Sequence, residues 1–161
     1  MTGPDMGVCA DINREAITPA MRLLPARMDS LPARRLMLAI GMQESRLIHR
    51  RQIGGPARGL WQFERGGGVV GVLRHHSSKT HSEAVCEALG VPAEPMPVYH
   101  ALEHDDVLAA AFARLLLFTD PRPLPQFCSA GWDYYIRTWR PGKPHAHTWA
   151  DCWSAAVEAV G

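Results

Sequence analysis

One carboxylate in this 161-residue chain stands where a carboxylate is not expected. From Ser30 an apolar stripe at three-to-four spacing runs through Ala33, Leu36, Met37, Ile40 and Gly41, and the next step lands on Glu44. Arg34 and Arg35 lie mostly off that line. A glutamate that extends an apolar stripe faces the core side, and near a helix C-terminus it meets the negative end of the dipole. Both effects disfavour the ionised form and raise its pKa. A carboxyl group that keeps its proton near neutral pH is what a general acid requires. The bland alternative is a side chain that frays into solvent or pairs with Arg46 or Arg50. Ten residues on comes Gly54-Gly55-Pro56-Ala57-Arg58-Gly59-Leu60-Trp61-Gln62-Phe63-Glu64. Its glycines let backbone approach a ligand closely. Trp61 and Phe63 supply flat apolar faces, and Gln62 offers both a donor and an acceptor. That combination suits a sugar ring; the plainer alternative is a structural turn with core aromatics.

A second constellation points to metal chemistry. His100-Ala101-Leu102-Glu103-His104 matches H-x-x-E-H, with both imidazoles at helical i, i+4 spacing, the inverted zinc-protease pattern. A further acidic ligand must come from downstream, where Glu158 is the sole glutamate. The competing expectation is that His100 and His104 cap or line the helix beginning near Asp105. His75, His76, His81, His145 and His147 read as loop or surface histidines. Cys9, Cys86, Cys128 and Cys152 are widely spaced without a C-x-x-C, and read as buried free thiols.

The elements that must position these groups are short helices joined by Pro/Gly punctuation. Thr18-Pro19 is an N-cap followed by a proline, opening a helix through about Leu24. Ser30 and Pro32 repeat the device and open a run through about Arg46. Residues 53–71 hold seven glycines and a proline, predicting a loop or twisted hairpin. Ser82–Leu89 reads as a helix ended by Gly90. Asp105 or Asp106 caps the most apolar helix, running to about Phe118. Gln126–Thr138 forms another, rich in aromatics, and Thr148-x-x-Asp151 resembles a capping box opening the last. The expected fold is mainly α, a single compact domain over residues 1–161 with a small glycine-rich loop or β-hairpin beside the cleft. Residues 1–16 are expected to form a loosely packed N-terminal segment.

Glu44-Ser45, then a glycine-rich stretch, then Gly59-Leu60-Trp61-Gln62, resembles the E-S … G-L-M-Q signature of lytic transglycosylases and goose-type lysozymes. Members from bacteriophages and prophages are the most similar, with a loop that reads much like GPARGLWQFE. The resemblance spans about residues 40–68 and implies a lysozyme-like, mainly helical fold. It assigns the catalytic acid to Glu44, an orienting role to Ser45 and glycan binding to Gln62. Arg58, Gly59, Leu60, Trp61, Phe63 and Glu64 belong to the same substrate-binding loop. The family also has a late Tyr-Asn-Ala-Gly segment whose tyrosine touches the acid. At that place this chain has Ala130-Gly131-Trp132-Asp133-Tyr134-Tyr135, so Trp132, Tyr134 and Tyr135 are the candidates. The following Trp139-Arg140-Pro141-Gly142-Lys143-Pro144 either walls the cleft or caps the fold, the second being favoured.

The implied reaction is cleavage of the β-1,4 bond between N-acetylmuramic acid and N-acetylglucosamine in peptidoglycan, without a cofactor. Glu44 would protonate the glycosidic oxygen, and Glu64 is the one other acid within the loop. The implied partner is the bacterial glycan strand, met through a holin pore or from within a virion. The N-terminus MTGPDMGVCADIN lacks the basic start and apolar run of a secretion signal, so synthesis in a host cytoplasm is expected. The rival functions are an H-x-x-E-H zinc hydrolase and a non-catalytic glycan-binding virion module.

Composition narrows the field further. With 47% apolar residues and a net charge of +1, the chain is neither disordered nor an evident nucleic-acid binder. No stretch approaches the ~20 apolar residues of a membrane helix, since Val107–Phe118 is short and carries Arg114. Charge is uneven, +5 over residues 1–74 and −4 over residues 75–161, and fifteen of seventeen bases are arginine. Arg46, Arg50, Arg51 and Arg58 flank the expected cleft and are expected to face a polyanionic wall.

Overall fold

The computed structural model describes residues 5–161. The described chain is mainly α: α1 (Met6–Ile12), α2 (Thr18–Arg22), α3 (Leu31–Ser45), α4 (Val70–Arg74), α5 (Lys79–Leu89), α6 (Pro95–Leu102), α7 (Asp106–Phe118), α8 (Cys128–Trp139) and α9 (Ala146–Val160). Two isolated antiparallel bridges, Arg51 with Arg58 and Arg58 with Phe63, are the extent of β pairing among the described residues. No helix among them is long and apolar enough to cross a membrane.

α3 begins as its sequence predicts. Ser30 is extended and its Oγ accepts a hydrogen bond from the Ala33 N–H at 3.2 Å, with Pro32 in the first turn where no N–H is needed. Its apolar character is not confined to one stripe. Leu36 through Met42 are all buried, because α9 packs extensively along α3 while α7 and α1 contact it as well. α3 is thus the central helix, and α7, buried from Leu108 to Leu115, is its counterpart in the core. Asp105 caps α7 by accepting from the Leu108 N–H at 3.0 Å.

Two expectations are corrected. Residues 5–16 are anchored through one face, with Cys9, Ile12 and Ala16 buried in the core and Asp5–Gly7, Asp11, Arg14 and Glu15 exposed; Met1–Pro4 lie outside the described residues. Thr18 is not an N-cap, because α1 continues through a π turn (Asn13–Ile17) directly into α2. The Thr18 N–H reaches Asn13 O, one residue further back than in an α-helix. That widened turn gives room for Pro19, whose ring would otherwise meet the carbonyl four residues behind it.

The last helix likewise opens earlier than its capping-box pattern predicts, at Ala146. Thr148 instead turns its Oγ1 to Gln43 Oε1 at 2.9 Å, while Gln43 Nε2 donates to His145 O at 2.9 Å. A glutamine one residue before Glu44 therefore fastens the start of α9 to the end of α3.

Candidate active site

The end of α3 is shaped by an unusual turn. Arg46 and Leu47 both have left-handed backbones, at φ 57° and 55°, and fold Leu47 back over Gly41. A Cβ at Gly41 would stand 2.3 Å from Leu47 Cδ2 and 3.2 Å from Trp61 Nε1. Glycine at this position lets both the turn and the Gly59–Gln62 segment close onto the helix. Ser45 ties them together: its Oγ donates to Leu60 O and accepts from the Leu47 N–H at 3.1 Å. Ser45 is buried, so it is a strut between helix and loop rather than a group offered to a ligand.

Glu44 meanwhile lies partly buried, and Tyr135 of α8 donates its phenolic hydrogen to Glu44 Oε2. Burial pushes the Glu44 carboxyl up from 4.5 to about 7. The Tyr135 hydrogen bond opposes that rise by favouring the ionised form, and the negative charge of Glu64 adds to it. Tyr135 is in turn held above its ordinary value, first by burial and then by Glu44. Its ring lies parallel to Trp149 at 5.3 Å and tilted against Trp132 at 5.5 Å, which fixes the hydroxyl's direction. Gly131 permits this packing, since a Cβ there would meet Trp153 at 2.6 Å.

Of the three late aromatics, then, Tyr135 is the one that touches the acid. Tyr134, its neighbour on α8, points elsewhere and donates to Leu117 O at 2.8 Å. Trp132 reaches the site only through its ring contact with Tyr135.

The glycine-rich loop divides into supports and open groups. Leu60 and Trp61 are buried, with Trp61 Nε1 donating to Met37 O at 2.8 Å. Phe63 is buried edge-on against Phe112 and Trp139. The Trp61 face expected to meet a sugar is thus spent on the core, because the loop closes against α3, whereas Phe63, though mostly buried, still lines the groove described below. Gly59 is buried too, at φ 78°. Gln62, in left-handed backbone at φ 55°, remains partly open, and Glu64 is exposed. Both line a groove of about 590 Å³ whose other walls include His75, Arg137, Trp139 and Arg140. Glu44 is not in that lining; Glu64, whose charge acts on it, connects the two. Trp139 and Arg140 thus wall the groove, where the sequence pattern favoured a fold-capping role, and His75, read as a loop or surface histidine, lines it too. Trp139 also pins the loop, its Nε1 donating to Trp61 O at 3.0 Å.

Three of the arginines expected to face a wall polymer are paired with acids at the ends of α6 and α7, and Arg50 and Arg51 stay largely exposed. Arg50 forms a two-point pair with Asp106, at 3.0 and 2.6 Å. Arg51 and Arg58 share Glu103, at 3.0 and 3.4 Å, and the Arg58 guanidinium lies 5.7 Å over the Tyr99 ring. Arg58 Nη1 also donates to Gly55 O and Ala57 O, so it holds the loop's shape.

The H-x-x-E-H constellation comes apart for the same reason. α6 ends at Leu102, so His100 and His104 do not share a helical face, and Glu103 answers the two arginines. Among the described residues no group of three His, Cys, Asp or Glu side chains is placed to hold a metal ion. The four cysteines are free; Cys9, Cys86 and Cys152 are buried, which pushes each thiol up to about 11. No protein-family model, no curated protein and no solved structure matches this chain.

Proposed function

We propose that the chain is a peptidoglycan-cleaving glycosidase, a lytic transglycosylase or muramidase, with Glu44 as its general acid. The single observation that carries this reading is the partly buried Glu44 carboxyl that accepts the Tyr135 hydroxyl hydrogen, raised by burial to about 7 and acted on by Glu64, a residue of the groove. A protonated Glu44 gives its hydrogen to the glycosidic oxygen as the C–O bond breaks toward an oxocarbenium-like state. The resulting carboxylate then takes a proton from the acceptor. If the acceptor is water the product is a reducing sugar; if it is the muramyl 6-hydroxyl the product is a 1,6-anhydro sugar. Tyr135 serves both halves, because its donated hydrogen favours the carboxylate and keeps the pKa from climbing further. Glu64, close enough to act on Glu44, is placed to offset developing positive charge on the sugar.

The resemblance of Glu44-Ser45 and Gly59–Gln62 to the transglycosylase signature supports the same reading. The partner is the glycan strand of the bacterial wall, reached through a holin pore or carried within a virion, and the reaction needs no cofactor. Digestion of purified peptidoglycan followed by mass spectrometry tests it. Soluble muropeptides ending in N-acetylmuramic acid are expected, anhydro or reducing according to the acceptor. Binding to walls without release of any muropeptide would leave a glycan-binding module in place of an enzyme.

Tyr135→Phe separates the tyrosine's role from that of the acid. Loss of a donor to the ionised form raises the Glu44 pKa further, so the alkaline limb of the pH–rate profile should move up by about one unit. A shift toward lower pH contradicts the assigned direction of that hydrogen bond.

A further inference from the structure

Arg114 sits on α7 with only 5% of its surface exposed, in a helix otherwise buried through apolar residues. Its Nε donates to Met28 O at 2.8 Å, but Nη1 is buried without a hydrogen-bond partner, and no carboxylate pairs with it among the described residues. Asp29, the acid that acts on it, is already committed to Arg34 through two bonds of 2.8 and 3.0 Å. An arginine does not shed its proton to escape burial, so the protein keeps a charge in its interior whose nearest acid, Asp29, is bonded to another arginine. Buried guanidinium groups are ordinarily paired.

The same side chain forms part of the wall of a pocket of about 490 Å³. Leu117, Phe118 and Leu124 line its apolar side, and His75, His76, Ser77, Asp120 and Arg122 stand on its polar side. We propose that this pocket binds a monocarboxylate carrying a short hydrocarbon chain, with the carboxylate on Arg114 and the chain against Leu117, Phe118 and Leu124. One unpaired cation answers one negative charge. A dianionic phosphate would bring its second charge beside Asp120, a carboxylate of the same lining that faces Arg137 and Arg122 at 3.0 and 4.0 Å. The pocket shares His75, Thr119, Asp120 and Pro121 with the groove beside Gln62, so it opens as a side chamber of that groove. The assignment does not depend on the glycosidase reading, and either can fail alone.

Amide NMR titrations of the full chain with hexanoate, hexanamide and inorganic phosphate test the site. Hexanoate should give saturable shifts at residues 114–118 and 75–77, with hexanamide about tenfold weaker or worse, since only the carboxylate makes a charge-assisted pair. Arg114→Met should abolish the hexanoate response in a folded protein. If that variant does not fold, the comparison of hexanoate with hexanamide on the unaltered chain decides. No saturable response to hexanoate, equal binding of hexanamide, saturable binding of phosphate at these residues, or undiminished hexanoate binding by folded Arg114→Met would each overturn the proposal.

Discussion

Glu44→Gln should lower the rate of peptidoglycan solubilisation by about 10³-fold, the contribution expected of a positioned proton donor. The same substitution should make the protein more stable at alkaline pH, and this second effect ties the result to the acid's environment. In the folded state the carboxyl titrates at about 7, against 4.5 in an ordinary setting. Between those values the native state holds a proton that the unfolded chain has released. Stability contributed by this group is therefore complete below pH 4.5, falls as pH rises through that window and is lost above about 7. A glutamine cannot ionise and escapes the loss, so Glu44→Gln should exceed the parent chain by about 3 kcal/mol at pH 8 and converge with it near pH 4. Urea unfolding at the two pH values measures it. Equal stability of both proteins at pH 8 would mean that Glu44 ionises freely in water, and the catalytic assignment would go with it.

Gly59→Ala should produce the largest loss of stability among the loop glycines. Gly59 has φ 78°, and a Cβ there would stand 2.7 Å from Leu102 O, a backbone atom that cannot rotate away. Backbone strain and the collision together should cost about 3 kcal/mol, a fall in Tm of roughly 6–12 °C by thermal unfolding. Gly54 is the matched control, with φ 71° and nothing within 4 Å of the added carbon. Gly54→Ala should cost only about 1 kcal/mol, from strain alone. Similar losses at both positions would show that contact with α6 is not what fixes Gly59.

The parts of this fold that were legible in the sequence are those governed by local chemistry. Ser30 before Leu31-Pro32, Asp105 before α7 and Gly90 after α5 mark helix ends through hydrogen bonds and φ values set within a few residues. α4 and α6 were not legible. The first emerges from Arg65-Gly-Gly-Gly through a π turn, and the second opens on Pro95-Met96-Pro97, so glycine and proline mask both starts. Thr148 misled because its hydroxyl serves Gln43, more than a hundred residues away in sequence.

The site divides in the same way. The three-to-four stripe reached Glu44 because a helix face is a property of spacing. Which of Tyr134 and Tyr135 meets that acid depends on how α8 is rotated against α3, and adjacent residues on one helix differ by about 100° in direction. The partners of Arg50, Arg51 and Arg58 could not be read either, since Asp106 and Glu103 are brought near only by the packing of α6 and α7.

Those arginine pairs also bear on motion at the groove. A segment fastened by Arg50 to Asp106, and by Arg51 and Arg58 to Glu103, cannot swing as a lid without breaking several attachments at once. The entropy of ordering the segment is surrendered when the chain folds and does not recur at each encounter with a ligand. On the glycosidase reading proposed above, binding at the groove then requires no closing of this segment before bond cleavage.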